Sequence, residues 1–525
     1  MKQQKLKSKK FIQNGATVIT TNYRITDLVL LLVVTVTICS LATTEDSFWI
    51  DEGWSAWIVS LSSVGTLVQD TMLNCRDAIA QMPFYNFYIW FWARLFGMSE
   101  VALRLSNAPL VLVLFLSIQI GSIKLFGRRF GWMIIAVSPF LWFYMNEVRP
   151  YVAVMAFAGV ATVSLLLYLD KPGLNRRCAP WFCLFSSFLL CGFHMLGIFL
   201  IPTFITGLTL TNGLSREKWE KFFRDWCWPF IVFLPLFIIL GSYFAWTLLV
   251  DAHGVRGIPG LKNIAFAWYE FAGFLGLGPP RNVLREAPVE SAYQYFWFLL
   301  MGVAGWFIVI IYPFIRLKND DISKRILLLY MMFAAGVLIS GIAALIGKHN
   351  FWGRHVAEFF PLFILILIGY LAGDSTRGGR SRYGRMATIC ITVIWLFSAV
   401  RLGFLEEYKK DDFRGAVSCV IKAAGETGTI LWTASIPAAS YYGLQFDIDT
   451  EQIRNPSARL AVSTSNWRAE QLEEVFNDST GPVIVALSRP DWFDRRDTVQ
   501  NWIKMKNGTL IAELNAFKIY EIPKE

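Results

Sequence analysis

Charge is scarce in this chain. Only 17% of its 525 residues are Asp, Glu, Lys or Arg, against 55% hydrophobic and 16% aromatic. A soluble fold of this length cannot bury so much apolar surface, so the chain belongs in a bilayer. Cysteine pairing is also missing. The eight cysteines show neither CxxC nor zinc-finger spacing, which excludes a structural zinc site of those kinds. Cys39, Cys183, Cys191, Cys227 and Cys390 fall in apolar segments, where cysteine behaves as a small hydrophobe. Cys75 and Cys419 are expected on the oxidising side, and a disulfide between them stays open. No fixed-period repeat and no inverted pair of broken helices is visible, which weakens a transporter reading. The first apolar run, Ile25 to Thr44, has no small-residue cleavage site and follows a polar arm, so it is expected to be an uncleaved helix. The formal charge of +10 lies in short clusters and not on one basic face, so no nucleic-acid partner is expected.

What is present is a series of apolar runs, giving about eleven expected crossings of a hydrocarbon core about 30 Å thick. After the first run they fall at 101–123, 131–146, 150–169, 179–193, 195–212, 226–248, 291–315, 326–346, 355–373 and 386–404. A cytoplasmic arm at 1–24 then sends the clusters around Lys124/Arg128, Lys171/Arg177, Arg216/Arg224, Arg316/Arg325 and Arg377/Arg385 to its own side, as the positive-inside rule requires. That alternation needs the aromatic segment 83–97 to be juxtamembrane or re-entrant, since about 15 residues are short for a crossing. The first external loop is 45–100, with an amphipathic stretch from Trp54 to Leu67 suited to the membrane surface. A second external loop covers 250–290 and a third, short one runs from Gly347 to His355. The expected transmembrane domain is thus 25–404. From 405 to 525 the composition becomes that of a soluble domain, with helix-like runs at 411–424, 467–476 and 498–506 and strand-like runs at 429–434, 483–487 and 509–522. The fold class expected is therefore a polytopic α-helical membrane protein with a C-terminal soluble α/β domain outside the cytoplasm. The sequons at Asn477 and Asn507 matter only in a secretory pathway.

Two places carry chemistry. Phe48-Trp49-Ile50-Asp51-Glu52-Gly53-Trp54 sets adjacent carboxylates beyond the first helix, although interfacial tryptophans and solvated acids are also ordinary anchoring features. Tyr144-Met145-Asn146-Glu147-Val148-Arg149-Pro150-Tyr151 puts a carboxylate and a guanidinium at a turn on the same expected face, where a local ion pair is the plain alternative.

The Asp51/Glu52 motif, Met82-Pro83-Phe84-Tyr85, Arg94 through Leu105, the Tyr144–Tyr151 turn, Arg354-His355 with Pro361, and Asp411-Asp412-Phe413-Arg414-Gly415-Ala416 resemble, in that order, bacterial GT-C glycosyltransferases. The resemblance is to relatives of protein O-mannosyltransferases and of the aminoarabinose transferases that modify lipid A. It implies a hexosyl- or pentosyltransferase of the cell envelope and polysaccharide biosynthesis, in a bacterial inner membrane. Such an enzyme moves a sugar, with inversion, from a polyprenyl-phosphate donor to a glycan, lipid or protein acceptor. Asp51 is implied as general base, with Glu52 and Glu147 supporting it. A lipid phosphate is already a good leaving group, so one carboxylate suffices where glycosidases use two. Positive charge must meet the phosphate; the candidates are Arg149, Arg281 and Arg354, with Arg354 ranked first and Arg285 beside Arg281. Tyr85, Tyr151, His194 and His355 are candidate substrate contacts. Glu52 and Glu147 are candidate ligands for magnesium or manganese, because oxygen donors suit both ions. Met82 stands where the aminoarabinose transferases carry an acidic and basic pair, a departure that separates this chain from their particular metal and lipid arrangement. Two other classes remain: a flippase of lipid-linked sugars, which needs charges along helices, and an assembly protein whose external domain binds a partner.

Overall fold

A computed structural model describes residues 25–73, 78–170, 175–250, 259–286, 288–316, 321–348, 351–372, 382–444, 446, 461–462, 467–494 and 496–524. The arm 1–24, Cys75, the basic residues Lys171, Arg377 and Arg380, and part of the expected loop 250–290 lie outside the described residues, as does the side chain of Arg285.

Among the described residues, seven helices are long and apolar enough to cross a membrane: Ile25–Ala42, Glu100–Phe126, Tyr151–Asp170, Met195–Asn212, Arg216–Leu249, Ile322–Gly347 and Gly353–Tyr370. Shorter apolar helices cover Arg177–Phe193, Phe296–Phe307 and Ile389–Phe404. Their outer faces leave Val29, Leu32, Val36, Ile231, Leu234 and Ile238 exposed, an apolar surface that only lipid covers favourably. The protein is a polytopic helical membrane protein.

The crossing expected at 131–146 is not one helix but two short ones, Met133–Ala136 and Pro139–Met145. Pro139 supplies no N–H and pushes Ser138 into an extended conformation, so the helix ends and restarts there. Segment 83–97 forms the helix Pro83–Phe96. The Val148 amide donates to Glu52 Oε1 at 3.0 Å, so the turn after the broken pair and the helix that carries Glu52 meet. At the opposite end Arg325 pairs with Asp170 at 2.5 Å and donates to the Leu125 carbonyl, joining three of the loops expected to share a side.

The described part of the expected loop around residues 272–276 folds inward. Trp306 and Trp395 donate to the Ala272 carbonyl at 2.8 and 2.9 Å, and Ser398 donates to that of Gly273 at 2.8 Å. At Gly276 a Cβ would sit 1.9 Å from the Ser398 carbonyl oxygen, so only glycine fits.

Among the described residues the C-terminal α/β unit carries a five-stranded sheet in the order β2-β1-β3-β5-β4, with β1 Thr429–Thr433, β2 Ala461–Val462, β3 Val483–Ser488, β4 Thr509–Leu514 and β5 Phe517–Ile522. β1 pairs parallel with β2 and β3, while β5 runs antiparallel to β3 and β4. β3 is buried along its whole length, which explains its uninterrupted apolar run. The expected helices at 411–424, 467–476 and 498–506 form at Phe413–Ala424, Ala469–Asp478 and Thr498–Met505. β2 is too short and irregular to be visible in the sequence.

This unit is seated on the membrane bundle. Its helix Ile436–Tyr441 packs against the helix Ile50–Ser60, with Ala438 over Gly53. Tyr442 Oη accepts from the Phe48 amide at 2.7 Å and bonds Glu100 at 3.0 Å, and Tyr441 Oη donates to the Met98 carbonyl at 2.6 Å. A Cβ at Gly53 would lie 2.6 Å from the Cβ and backbone nitrogen of Ala438. Gly53→Ala is therefore expected to cost about 1–3 kcal/mol and to expose the C-terminal unit to limited proteolysis. An unchanged melting profile with unchanged cleavage would show that the two helices are not in close contact.

Candidate active site

The site grows from the start of the helix Ile50–Ser60. Its first turn carries Asp51 and Glu52, acidic residues where free backbone N–H groups and the helix dipole favour them. Adjacent in sequence, the two carboxylates point to different fates. Glu52 is completely buried: Oε1 accepts from Arg104 Nε at 3.1 Å and the Val148 amide at 3.0 Å, and Oε2 accepts from Arg104 Nη2 at 3.0 Å, Lys410 Nζ at 2.9 Å and the Trp49 amide at 3.4 Å. Five donors exhaust the lone pairs of one carboxylate. Burial would raise its proton affinity, but Arg104 and Lys410 outweigh that and hold the carboxyl below its ordinary value. The metal expected on Glu52 does not fit, because two cations already occupy the positions a metal would take. Among the described residues no three His, Cys, Asp or Glu side chains gather as a ligand set.

Asp51 keeps a quarter of its side chain exposed. Its Oδ2 lies 2.5 Å from Arg354 Nη1, and Arg149 Nη1 donates to its carbonyl at 3.3 Å. Burial works to raise the carboxyl, yet Arg354, then Arg149, and at longer range Arg489 bring it below the ordinary value. Asp51 is thus an ionised, reachable carboxylate at neutral pH.

The turn after Pro139–Met145 supplies Glu147 and Arg149. Asn107 Nδ2 donates to the carbonyls of Met145 at 3.0 Å and Glu147 at 2.8 Å, and Asn146 exchanges bonds with Thr44, so the turn is tied to both neighbouring segments. The local Glu147/Arg149 pair that their spacing suggests does not form. Glu147 is buried with neither carboxylate oxygen bonded, and Arg149 instead reaches the Asp51 carbonyl, with its Nε unbonded. Burial pushes Glu147 up to about 7, against the pull of Lys410 and Arg281 and with the help of Glu52 and Asp51.

That value has a measurable consequence. A carboxyl raised from 4.5 to about 7 keeps its proton in the folded state while the unfolded chain releases it. The stability this provides is complete below pH 4.5 and is lost as pH rises to about 7, by roughly 3 kcal/mol in all. Glu147→Gln is expected to flatten the slope and to leave the variant more stable than wild type at pH 8. Parallel pH–stability curves for the two proteins would overturn this.

The remaining candidates divide. Tyr151 stacks edge-on with Tyr144 at 4.9 Å and lies 6.1 Å from the His194 ring. His194 is pushed down to about 3 by burial and by Arg149 and Arg354, so it is neutral; its Nδ1 accepts from the Leu196 amide at 3.2 Å, a capping bond. Tyr85 is buried within electrostatic reach of Arg149. His355 Nδ1 accepts from the Trp352 amide at 3.1 Å and so caps the turn that carries Arg354. Arg281 is at the edge of the site, 3.9 Å from the centre of the Phe143 ring, but its charge is matched by an ion pair with buried Glu270. Glu270 also accepts from the Gly353 amide at 2.6 Å, fixing the residue before Arg354. Arg281 therefore braces this corner through its pair with Glu270.

Sequence reasoning missed Arg104, Asn107, Glu270 and Lys410, which hold the site together. Arg104 stood inside the motif quoted from Arg94 to Leu105; Lys410 had no signal beyond its place next to Asp411.

No family model matches the chain, and no curated protein does. Among solved structures it is similar to ArnT from Cupriavidus metallidurans, both in the apo state and bound to undecaprenyl phosphate, with a TM-score of 0.51 and 12% identity over 94% of this chain and 97% of that one. An arabinofuranosyltransferase, AftD from Mycobacteria, aligns with a TM-score of 0.43 and 12% identity over 94% of this chain and 40% of its own. With its membrane bundle and its C-terminal sheet, the chain shares the fold of ArnT.

Proposed function

We propose that this protein is an inverting glycosyltransferase that moves a sugar from a polyprenyl-phosphate donor to the hydroxyl of a glycan, lipid or protein on the extracytoplasmic side of a bacterial inner membrane. The observation that carries the reading is Asp51, a partly exposed carboxylate in contact with Arg354 and beside Arg149. Around it, Arg104 and Lys410 face Glu52, Arg281 faces Glu270, and Arg489 faces Asp411. Among the described residues no carboxylate is bonded to Arg149, and an anion such as a lipid phosphate satisfies it. Because Arg149 has this spare capacity, it replaces Arg354 as the leading phosphate ligand.

Arg354 then has a second part. When the donor phosphate arrives, Arg354 has two anions within reach, and each bond it makes to phosphate weakens its hold on Asp51. The proton affinity of Asp51 rises as that hold weakens, and the carboxylate becomes a better base for the acceptor hydroxyl. The leaving phosphate departs as an anion and needs no acid. ArnT was solved with undecaprenyl phosphate bound, which supports the same class of donor here. The test is sugar transfer by purified protein with polyprenyl-phosphate sugars, wild type against Asp51→Asn. Transfer at the wild-type rate by the variant would sink the mechanism, and lipid translocation without transfer by the wild type would favour a flippase.

A further inference from the structure

We infer that the C-terminal α/β unit is a working part of the active site, acting through Asn515 and Lys410 to position the turn that carries Glu147 and Arg149. The inference rests on the glycosyltransfer reading for its functional consequence, and on geometry for the coupling itself.

Lys410 belongs to the segment between the last membrane helix, which ends at Phe404, and the C-terminal unit, whose first helix begins at Phe413. Its backbone is held by the hairpin between β4 and β5. Asn515 Nδ2 donates to the carbonyls of Lys409 at 2.7 Å and Lys410 at 2.9 Å, and the Asp412 amide donates to the Asn515 carbonyl at 3.0 Å. Ala516, next in the hairpin, sits at φ 65, a left-handed conformation that makes the turn tight. Held this way, the Lys410 side chain enters the site. The side chain is 11% exposed, and its ammonium donates to Glu52 Oε2 at 2.9 Å and to the Asn146 carbonyl.

Charge balance at Glu52 does not call for this lysine. Arg104 alone matches that carboxylate with two bonds, and burying a second cation against a carboxylate already paired costs desolvation. What Lys410 adds is the bond to Asn146, the residue that ends the helix Pro139–Met145 and opens the turn to Glu147, Val148 and Arg149. Glu52 in turn accepts from the Val148 amide. One ammonium therefore ties the C-terminal unit, the helix of Asp51 and the turn of Arg149 together, and Lys410 is a positioning residue.

The experiment uses the full-length protein with a polyprenyl-phosphate sugar and compares Lys410→Met, Lys410→Arg, Asn515→Ala and Arg414→Ala. Arg414 also joins the two parts, through Glu100 at 2.5 Å and the Glu45 carbonyl at 2.8 Å, but makes no bond to Glu52 or the turn. Lys410→Met is expected to lower kcat about ten- to hundredfold, the effect of a small misplacement of reacting groups, with the donor KM within about threefold. Lys410→Arg recovers part of the loss, Asn515→Ala loses less in the same direction, and Arg414→Ala keeps wild-type kcat. Amide exchange is followed in the same samples without substrate, and protection at residues 146–149 should drop about tenfold in Lys410→Met but not in Arg414→Ala. Equal losses in Lys410→Met and Arg414→Ala, or unchanged kcat and protection in Lys410→Met, overturn the inference. Wild-type transfer by Asp51→Asn in the same assay would bring down the catalytic reading instead, and the exchange data then decide the coupling alone.

Discussion

Asp51→Asn is expected to lower the rate of sugar transfer by about 10²–10⁴-fold, the usual contribution of a positioned general base. Asparagine keeps the size of the side chain and an oxygen that still accepts from Arg354, now 2.5 Å from the carboxylate. It cannot take a proton. The loss should therefore fall on kcat, with donor KM little changed, because the cations that meet the phosphate are intact. One opposing effect works on binding: with the charge of Asp51 gone, Arg354 is freer to meet the phosphate, so donor affinity should rise slightly. Binding measured with polyprenyl phosphate alone separates the two. A variant with lower affinity and unchanged kcat would show that Asp51 holds the donor and does not act as a base.

Arg104→Met should be the most damaging single change to stability, at about 3–5 kcal/mol. Arg104 is fully buried and makes both of its Glu52 bonds there, and it also donates to the carbonyls of Thr44 at 2.8 Å, Asp46 at 2.7 Å and Ser47 at 3.3 Å. Its removal leaves those carbonyls without this donor inside the protein and Glu52 facing Lys410 alone among cations. Thermal unfolding in detergent reads the loss. Glu52→Gln combined with Arg104→Met should recover part of it, since the unmatched charge goes with the partner. A single variant that melts with the wild type would mean that water or lipid headgroups reach this pair.

Much of this was legible before any coordinates, for identifiable reasons. Bilayer residence follows from scarce charge and long apolar runs, which hold wherever those runs pack. Asp51, Glu147, Arg149 and Arg354 stood out because ionisable residues are rare next to apolar segments, and the structure brings Asp51, Arg149 and Arg354 into contact across up to 303 positions of sequence. The strands at β1 and β3 were readable from continuous apolar runs. The break at Ser138-Pro139 was not read, although proline marks it, because the surrounding segment is apolar enough to resemble one span.

A polytopic membrane protein with a C-terminal α/β unit and an acidic pair beyond its first helix is legible residue by residue, since apolar length, charge distribution and local motifs are properties of neighbouring residues. The two carboxylates of that pair are told apart by folding. Arg104, Lys410 and the Val148 amide converge on Glu52 from distant parts of the chain and use up its oxygens, while Asp51, one residue earlier, is left partly open with Arg354 against it. Neighbours in sequence share composition but not environment, and the fate of a carboxylate is set by the charges and donors that folding brings to it.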